Sequence, residues 1–481
     1  MKGQKISRRE MLKLVGMTAA STVLAACAGP AAPKETDTPV PPTLPPLPTN
    51  TMEVKVPTGE KIEGFTPKLA NPSEKIKLLY WWGNNYEPAM EFTNQVIKRF
   101  SIAYPNVEVE PVGGQNCDAF VTAAAAGTPP DFFHTWDCVE RMGNWAKRGM
   151  IISLDEYIAK DQFDLNDYYT NIMDTCKMDG KIWGMVDTGG IFLLWTRPPQ
   201  FADLGKQPTD LPKDTDELWD WVQKLTTKDS DGNIQRLGMT IPTWTWSRFA
   251  WIADFGGVLW DTAKGEPTPE HPGVLEAMND LVKQVKVFGV DTLDRWSTSI
   301  GSQSGEQNPW LAGNLTMQVE GDWNGQSIFD FHPDWNAGKE YGVEDIPKPP
   351  SSKIHGDSLG VLWSWPLVIP AGTKHPDWSW ELCRFFLSPE YQLNVHGKFK
   401  ELVTRKSMVD DPRQWWPAAK KAREVATVRG VTPMMPMNPV AAEYLNLLGE
   451  AFDKILHLTD TPEAAMKQVK DETMNKMKES M

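Results

Sequence analysis

The strongest constraint on the fold of this chain is an alternation of hydrophobic periods that begins at Lys75. Lys75 to Trp82 (KIKLLYWW) reads as a strand closed by Gly83-Asn84-Asn85, after which Phe92, Val96, Ile97 and Phe100 recur near helical spacing as far as Pro105. Asn106 to Pro111 (NVEVEP) then alternates as a second strand. Strand, helix and strand in that order predict parallel pairing through a helical crossover, hence an α/β fold. The pattern continues with a small-residue helix from Phe120 to Ala126, a short strand from Asp131 to His134, and Ser153-Leu154-Asp155-Glu156 as a capping box. Asp214 is placed to cap a helix with Glu217 at N3 and Leu218, Trp221, Val222 and Leu225 on one face. Tyr444, Leu448, Ala451, Phe452 and Ile455 form a buried helical stripe, and Thr461-Pro462 reads as the start of a final helix. There is no internal repeat.

At 481 residues the chain exceeds what a single core usually supports, so two lobes are expected. Its 49 Lys plus Arg against 63 Asp plus Glu give a net charge of −14, which argues against a nucleic-acid partner.

The first 27 residues read as an export signal. Lys2, Lys5, Arg8 and Arg9 make a basic head, and the apolar run from Leu14 to Ala26 is too short to span a bilayer. Ser7-Arg8-Arg9-Glu10-Met11-Leu12-Lys13 resembles the twin-arginine export motif, and Leu24-Ala25-Ala26-Cys27 resembles a lipobox, which implies a lipid on Cys27 and anchoring to the cell membrane. Residues 28–69 read as a linker, because Pro30, Pro33, Pro39, Pro41, Pro42, Pro45, Pro46 and Pro48 favour extended polyproline II over a packed core. After Cys27 four cysteines remain, Cys117, Cys138, Cys176 and Cys383. In an exported protein they allow one or two disulfides, with three full pairings open.

No HExxH, GxSxG, GxGxxG or P-loop is present, and the seven histidines lie far apart in sequence, reading as separate surface or core residues. Asp229-Ser230-Asp231-Gly232-Asn233 lacks the spacing and closing Glu of a calcium loop and reads as a turn. No metal or cofactor is expected. What stands out is tryptophan, 22 in all, several beside Asn, Asp, Glu or Gly, as in Trp82-Gly83-Asn84, Trp136-Asp137 and Gly321-Asp322-Trp323-Asn324. Any one of these is most simply a structural Trp. As a set they offer flat platforms with polar edges, which suit the apolar face and hydroxyl rim of a pyranose ring.

From Lys75 onward the chain resembles the family 1 extracellular solute-binding proteins, the ligand-capturing components of bacterial ABC importers for sugars. The resemblance is carried by Ala124-Ala125-Ala126-Gly127-Thr128-Pro129-Pro130-Asp131, Gly149-Met150-Ile151-Ile152-Ser153-Leu154-Asp155 and Asp179-Gly180-Lys181-Ile182-Trp183-Gly184-Met185-Val186. Ala312-Gly313-Asn314-Leu315-Thr316-Met317 with Glu320-Gly321-Asp322-Trp323, and Lys374-His375-Pro376-Asp377-Trp378-Ser379-Trp380, extend it in the family's order. Val186 and Leu193-Leu194-Trp195-Thr196-Arg197 depart from the family pattern near the expected hinge.

The resemblance implies a two-lobed α/β periplasmic-binding-protein-like fold of type 2, with residues 70–187 and 366–408 in one lobe and 188–365 and 409–481 in the other. It places a carbohydrate, of oligosaccharide length, between them: Trp82, Asn84, Trp136 and Asp137 on one side, Trp244, Trp246, Asp322 and Trp323 on the other, and Asp187, Trp363 and Trp365 near the crossing strands. It also implies a monomer that delivers ligand to permease subunits and catalyses nothing. Two rivals share some of these features. A secreted glycoside hydrolase could pair Asp137 with Glu320, and a receptor for a peptide, polyamine or phosphate ester could share the fold.

Overall fold

The computed structural model describes residues 54–84, 86–134, 138–241, 245–300, 305–352, 361–414, 416–424, 432–433 and 436–480. Its principal strands are β1 (Ile76–Trp82), β2 (Val107–Val112), β3 (Phe132–His134), β4 (Met185–Thr196), β5 (Ile234–Met239), β6 (Leu315–Gly321), β7 (Gly342–Glu344), β8 (Val361–Val368) and β9 (Leu402–Val403). One mixed sheet runs β2–β1–β3–β8–β4–β6–β5. β1 pairs in parallel with β2 and β3, and β6 pairs in parallel with β5, as helical crossovers require.

The helices that matter here are α1 (Glu87–Lys98), α2 (Cys117–Ala125), α3 (Thr215–Leu225), α4 (Thr245–Asp254), α5 (Pro272–Phe288), α6 (Asn324–Phe331), α7 (Pro376–Phe386), α8 (Pro389–Phe399), α9 (Ala441–Leu456) and α10 (Pro462–Ser480). Local chemistry sets their starts. Asn116 accepts the Ala119 N–H ahead of α2, Asp214 accepts the Glu217 N–H ahead of α3, and Thr461 Oγ1 accepts the Ala464 N–H at the head of α10. α9 buries Tyr444, Leu448, Ala451, Phe452 and Ile455, and the Tyr444 hydroxyl donates to the Leu259 carbonyl. The stretch from Asp229 is a turn, with Asp229 Oδ1 accepting the Asp231 and Asn233 N–H groups. Among the described residues no helix is long and apolar enough to cross a membrane.

β4 is the element on which the sheet turns. All twelve of its residues are buried, which explains its unbroken apolar run. Up to Ile191 it pairs with β8, and at Thr188 and Gly189 with β9. From Phe192 it pairs with β6, and from Leu194 also with β7. The change of partners falls between Ile191 and Phe192, a little beyond the 187/188 boundary expected from sequence.

Two local expectations fail. Ser153 and Glu156 do not form a capping box: Leu154 occupies the N-cap position without a side-chain bond, and the Ser153 hydroxyl is engaged with Asp155, accepting its N–H and donating to its carboxylate. The linker is also shorter than its proline content implied, since residues 54–69 are strapped onto the body. Phe65 packs edge-on against Tyr104 and Phe385. The Arg99 guanidinium donates to the carbonyls of Pro57, Gly59 and Lys61 and pairs with buried Glu390, while Arg413 holds Glu63. The run of prolines ends at Pro48, and the apolar and charged anchors beyond it outweigh the extended preference of the chain.

Of the three cysteine pairings, the structure holds one bond, Cys117–Cys138. It ties the first turn of α2 to the segment after β3. Cys176 and Cys383 are buried thiols, and burial pushes both thiols up, Cys176 to about 12, so they are poor nucleophiles.

Candidate functional site

The parallel strands β1 and β3 end side by side, with Trp82 opposite His134. Helix α1 starts just beyond the end of β1 and α2 just beyond that of the neighbouring parallel strand β2, the edge at which open α/β sheets take ligands. Trp82 lies nearly parallel to the His134 ring, 12° apart with centroids at 6.5 Å. Its Nε1 is buried and has no hydrogen-bond partner among the described residues. A buried indole N–H usually finds an acceptor; the Trp82 ring is itself enclosed, and the core residues Trp251 and Trp310 share the lack, so it marks no ligand contact by itself. Asn84 follows directly. Its Oδ1 accepts the Tyr86 N–H and its carbonyl accepts the Gly114 N–H, which fixes the loop. Trp365, partly exposed on β8, stands 5.7 Å from His134 on another side.

Beyond the change of partners on β4, Trp323 lies over the backbone. A Cβ at Gly190 would stand 2.5 Å from its ring and one at Gly321 would stand 2.3 Å away, so only glycine at both positions lets the indole rest there. Phe192 meets it edge-on at 5.3 Å. Trp323 remains partly exposed. Beside it burial pushes the Glu320 carboxyl up to about 7, opposed by the Gly321 N–H. Trp195 and Trp310, by contrast, pack edge-on inside the core.

Two aspartates expected to touch ligand are turned inward instead. Asp322 is fully buried: Oδ1 accepts the Ile191 N–H at 3.1 Å and Oδ2 the Leu402 N–H at 3.2 Å, while its own N–H donates to the Ile191 carbonyl. It stitches β6 and β9 to β4 where β4 changes partners. Burial and the nearby Glu401 charge raise its carboxyl well above the usual range. Asp187 is equally buried, with Oδ1 3.2 Å from His134 Nε2 and Oδ2 3.1 Å from His396 Nε2. Burial alone would raise it, but the two imidazoles outweigh that and hold it well below the ordinary carboxylate range. Backbone amides take both Asp322 oxygens and His396 takes Asp187 Oδ2, while Asp187 Oδ1, equally buried, faces His134 Nε2 at ion-pair distance without a hydrogen bond.

The histidine cluster is the feature that sequence reading missed. In sequence His134 and His396 read as separate residues, and only the pairing of β3, β8 and β4 with α8 beneath brings them onto one carboxylate. No local spacing announces that. His396 Nδ1 also lies 2.8 Å from Glu401 Oε2, and His134 Nδ1 lies 3.2 Å from the Tyr80 hydroxyl.

Of the remaining expected contacts, Trp136, Asp137 and Trp244 lie outside the described residues, so the Asp137–Glu320 pair does too. Trp246 lies on α4 and Trp363 on β8, opposite Gly190; their side chains are also outside the described set. Among the described residues no cluster of His, Cys, Asp and Glu is arranged to hold a metal ion.

The model of a family described as bacterial extracellular solute-binding protein matches residues 95–424, and the chain belongs to that family. Its members are solute-binding proteins that act outside the cytoplasm. Solved structures share the fold. The mannotriose-bound protein CpMnBP1 is 22% identical over 83% of this chain and 100% of its own, with a TM-score of 0.71. A tagatose-bound ABC transporter solute-binding protein from Thermotoga lettingae is 22% identical over 82% of this chain and 98% of its own, at 0.67. The maltotriose-bound maltose/maltodextrin-binding domain MalE from Bdellovibrio bacteriovorus is 17% identical over 84% and 100%, at 0.66. The architecture is the two-lobed periplasmic-binding-protein-like α/β fold.

Proposed function

We propose that the solute is a carbohydrate, an oligosaccharide of a few units, captured between two lobes and handed to the permease of an ABC importer. The observation that carries this reading is the pair of partly exposed indoles beside β4, Trp365 on β8 and Trp323 over Gly190. Exposed aromatic faces suit the apolar side of a pyranose. The sugar-bound states of CpMnBP1 and of MalE from Bdellovibrio bacteriovorus support the ligand class. Trp82, Asn84, Trp323 and Trp365 are the described contacts in this reading, and the sequence resemblance adds Trp136, Asp137, Trp244, Trp246 and Trp363. Asp187 and Asp322 position the platform and leave the contacts to others.

In this reading residues 70–187 with 366–408 form one lobe and 188–365 with 409–481 the other, hinged near the change of partners on β4. A ligand touching both lobes binds the closed state better and shifts the hinge toward it. The protein is a monomer held at the membrane by lipid on Cys27, and it turns over no substrate.

A thermal-shift screen of manno- and malto-oligosaccharides tests the ligand class: a sugar at 100 times its Kd adds about 2.7 kcal/mol of stability. The same sugar reduces the radius of gyration by small-angle scattering and is recovered intact. Hydrolysis of the sugar returns the hydrolase reading, and tight binding without compaction removes the hinge. For the anchor, Cys27→Ser releases the protein from membranes of the native host; retention there refutes it.

A further inference from the structure

The clustered imidazoles and carboxylates beneath the platform have a use beyond holding strands together. His396 sits on α8 between two carboxylates from different elements, Asp187 of β4 and Glu401 just past α8. Asp187 reaches on to His134 of β3, whose ring lies along Trp82 and beside Trp365. The other titratable groups facing this cluster are Tyr80 of β1, Tyr168, Cys383 of α7, Tyr391 of α8, and Asp322 at the end of β6, which feels Glu401. Lys400 points elsewhere, over the Phe329 ring of α6. Of the described groups facing the cluster, the two imidazoles are the ones that can carry positive charge.

We infer that His396 is a proton-held brace for the ligand platform: its imidazolium keeps β4 and the Trp82–His134 stack in binding geometry, and loss of that proton weakens ligand binding. A neutral His396 leaves Asp187 and Glu401 buried with one cation fewer between them, and buried carboxylates without a counter-charge are costly enough to move. Movement of Asp187 passes to His134, and so to both indoles. Burial alone would push the His396 imidazole down, but Asp187 and Glu401 outweigh it and raise it to about 9. The brace is therefore intact at neutral pH and fails on the alkaline side. His396 is a positioning residue; it touches no ligand.

The inference rests on the carbohydrate reading for its ligand, so the test has two arms. In the ligand-free full chain labelled with 15N-histidine, the ring signals absent from His396→Gln report imidazolium at pH 8, and tryptophan fluorescence shifts with the same midpoint near pH 9. Mannotriose and maltotriose serve as probes in the second arm. Affinity for whichever binds falls about tenfold between pH 8 and pH 10, since one proton changes affinity by at most tenfold per pH unit, and the fall is absent in the variant. If His396→Gln does not fold, Asp187→Asn with His396→Gln removes charge and partner together and takes its place. A neutral His396 ring at pH 8, or a fluorescence midpoint that survives in the variant, overturns the brace. Absence of sugar binding at every pH overturns the carbohydrate reading instead and leaves the ring signals to decide.

Discussion

Two aspartates lie along the same buried region of β4 and solve the same problem in opposite ways. Asp187, on the Trp82 side, is compensated by charge: two imidazoles flank it and its carboxyl is held low. Asp322, on the Trp323 side, is compensated by backbone amides alone and sits near Glu401, so burial pushes its carboxyl high. Burial favours the neutral acid in both places, and the neighbour decides whether the charge survives. One end of the crossing is thus an ionic knot and the other an amide stitch.

The largest effect expected from breaking this contrast is at the knot. Asp187→Ala leaves imidazoles buried beside an empty site, and removing one partner of a buried charged group costs about 3–5 kcal/mol. Urea unfolding at pH 7 measures it. Asp322→Asn is milder, because the neutral form is already favoured and the amide oxygen can still accept one of the two N–H groups. It costs about 1–3 kcal/mol, the usual penalty for one unsatisfied buried group. Equal losses would mean the two ends do not differ in charge.

The pH dependence runs in opposite directions. Asp187, held low, contributes stability that is present above the ordinary carboxylate range and disappears as pH falls through its folded value. Asp322, held high, favours the folded state in acid and loses that advantage as pH rises above its unfolded value. Removing Asp187 should flatten the acid limb of the stability profile, and removing Asp322 should flatten the decline above it.

Much of the fold was legible because its signals are local. The KIKLLYWW strand, the Asp214 cap and the Tyr444 to Ile455 stripe each need only neighbouring residues to be read. The strap at residues 54–69 was missed because Phe65 and Glu63 acquire meaning only against Phe385 and Arg413, more than three hundred residues away. At the site, sequence identified the right neighbourhoods and left side-chain direction open. Trp323 remains partly exposed, while the adjacent Asp322 turns inward to the backbone. His134 and His396 carried no signal, since nothing in either neighbourhood anticipates a shared carboxylate.

The central claim is that an oligosaccharide stacks beside this crossing, and calorimetric titration of Trp323→Ala with the sugar that stabilises the wild type tests it most directly. Truncating a central aromatic anchor typically costs about 2–4 kcal/mol, so affinity should fall about 30- to 1000-fold, with the melting temperature of the ligand-free protein little changed. Unchanged affinity with a lowered melting temperature would contradict the claim, since it would make Trp323 a packing residue over Gly190 and Gly321 and nothing more.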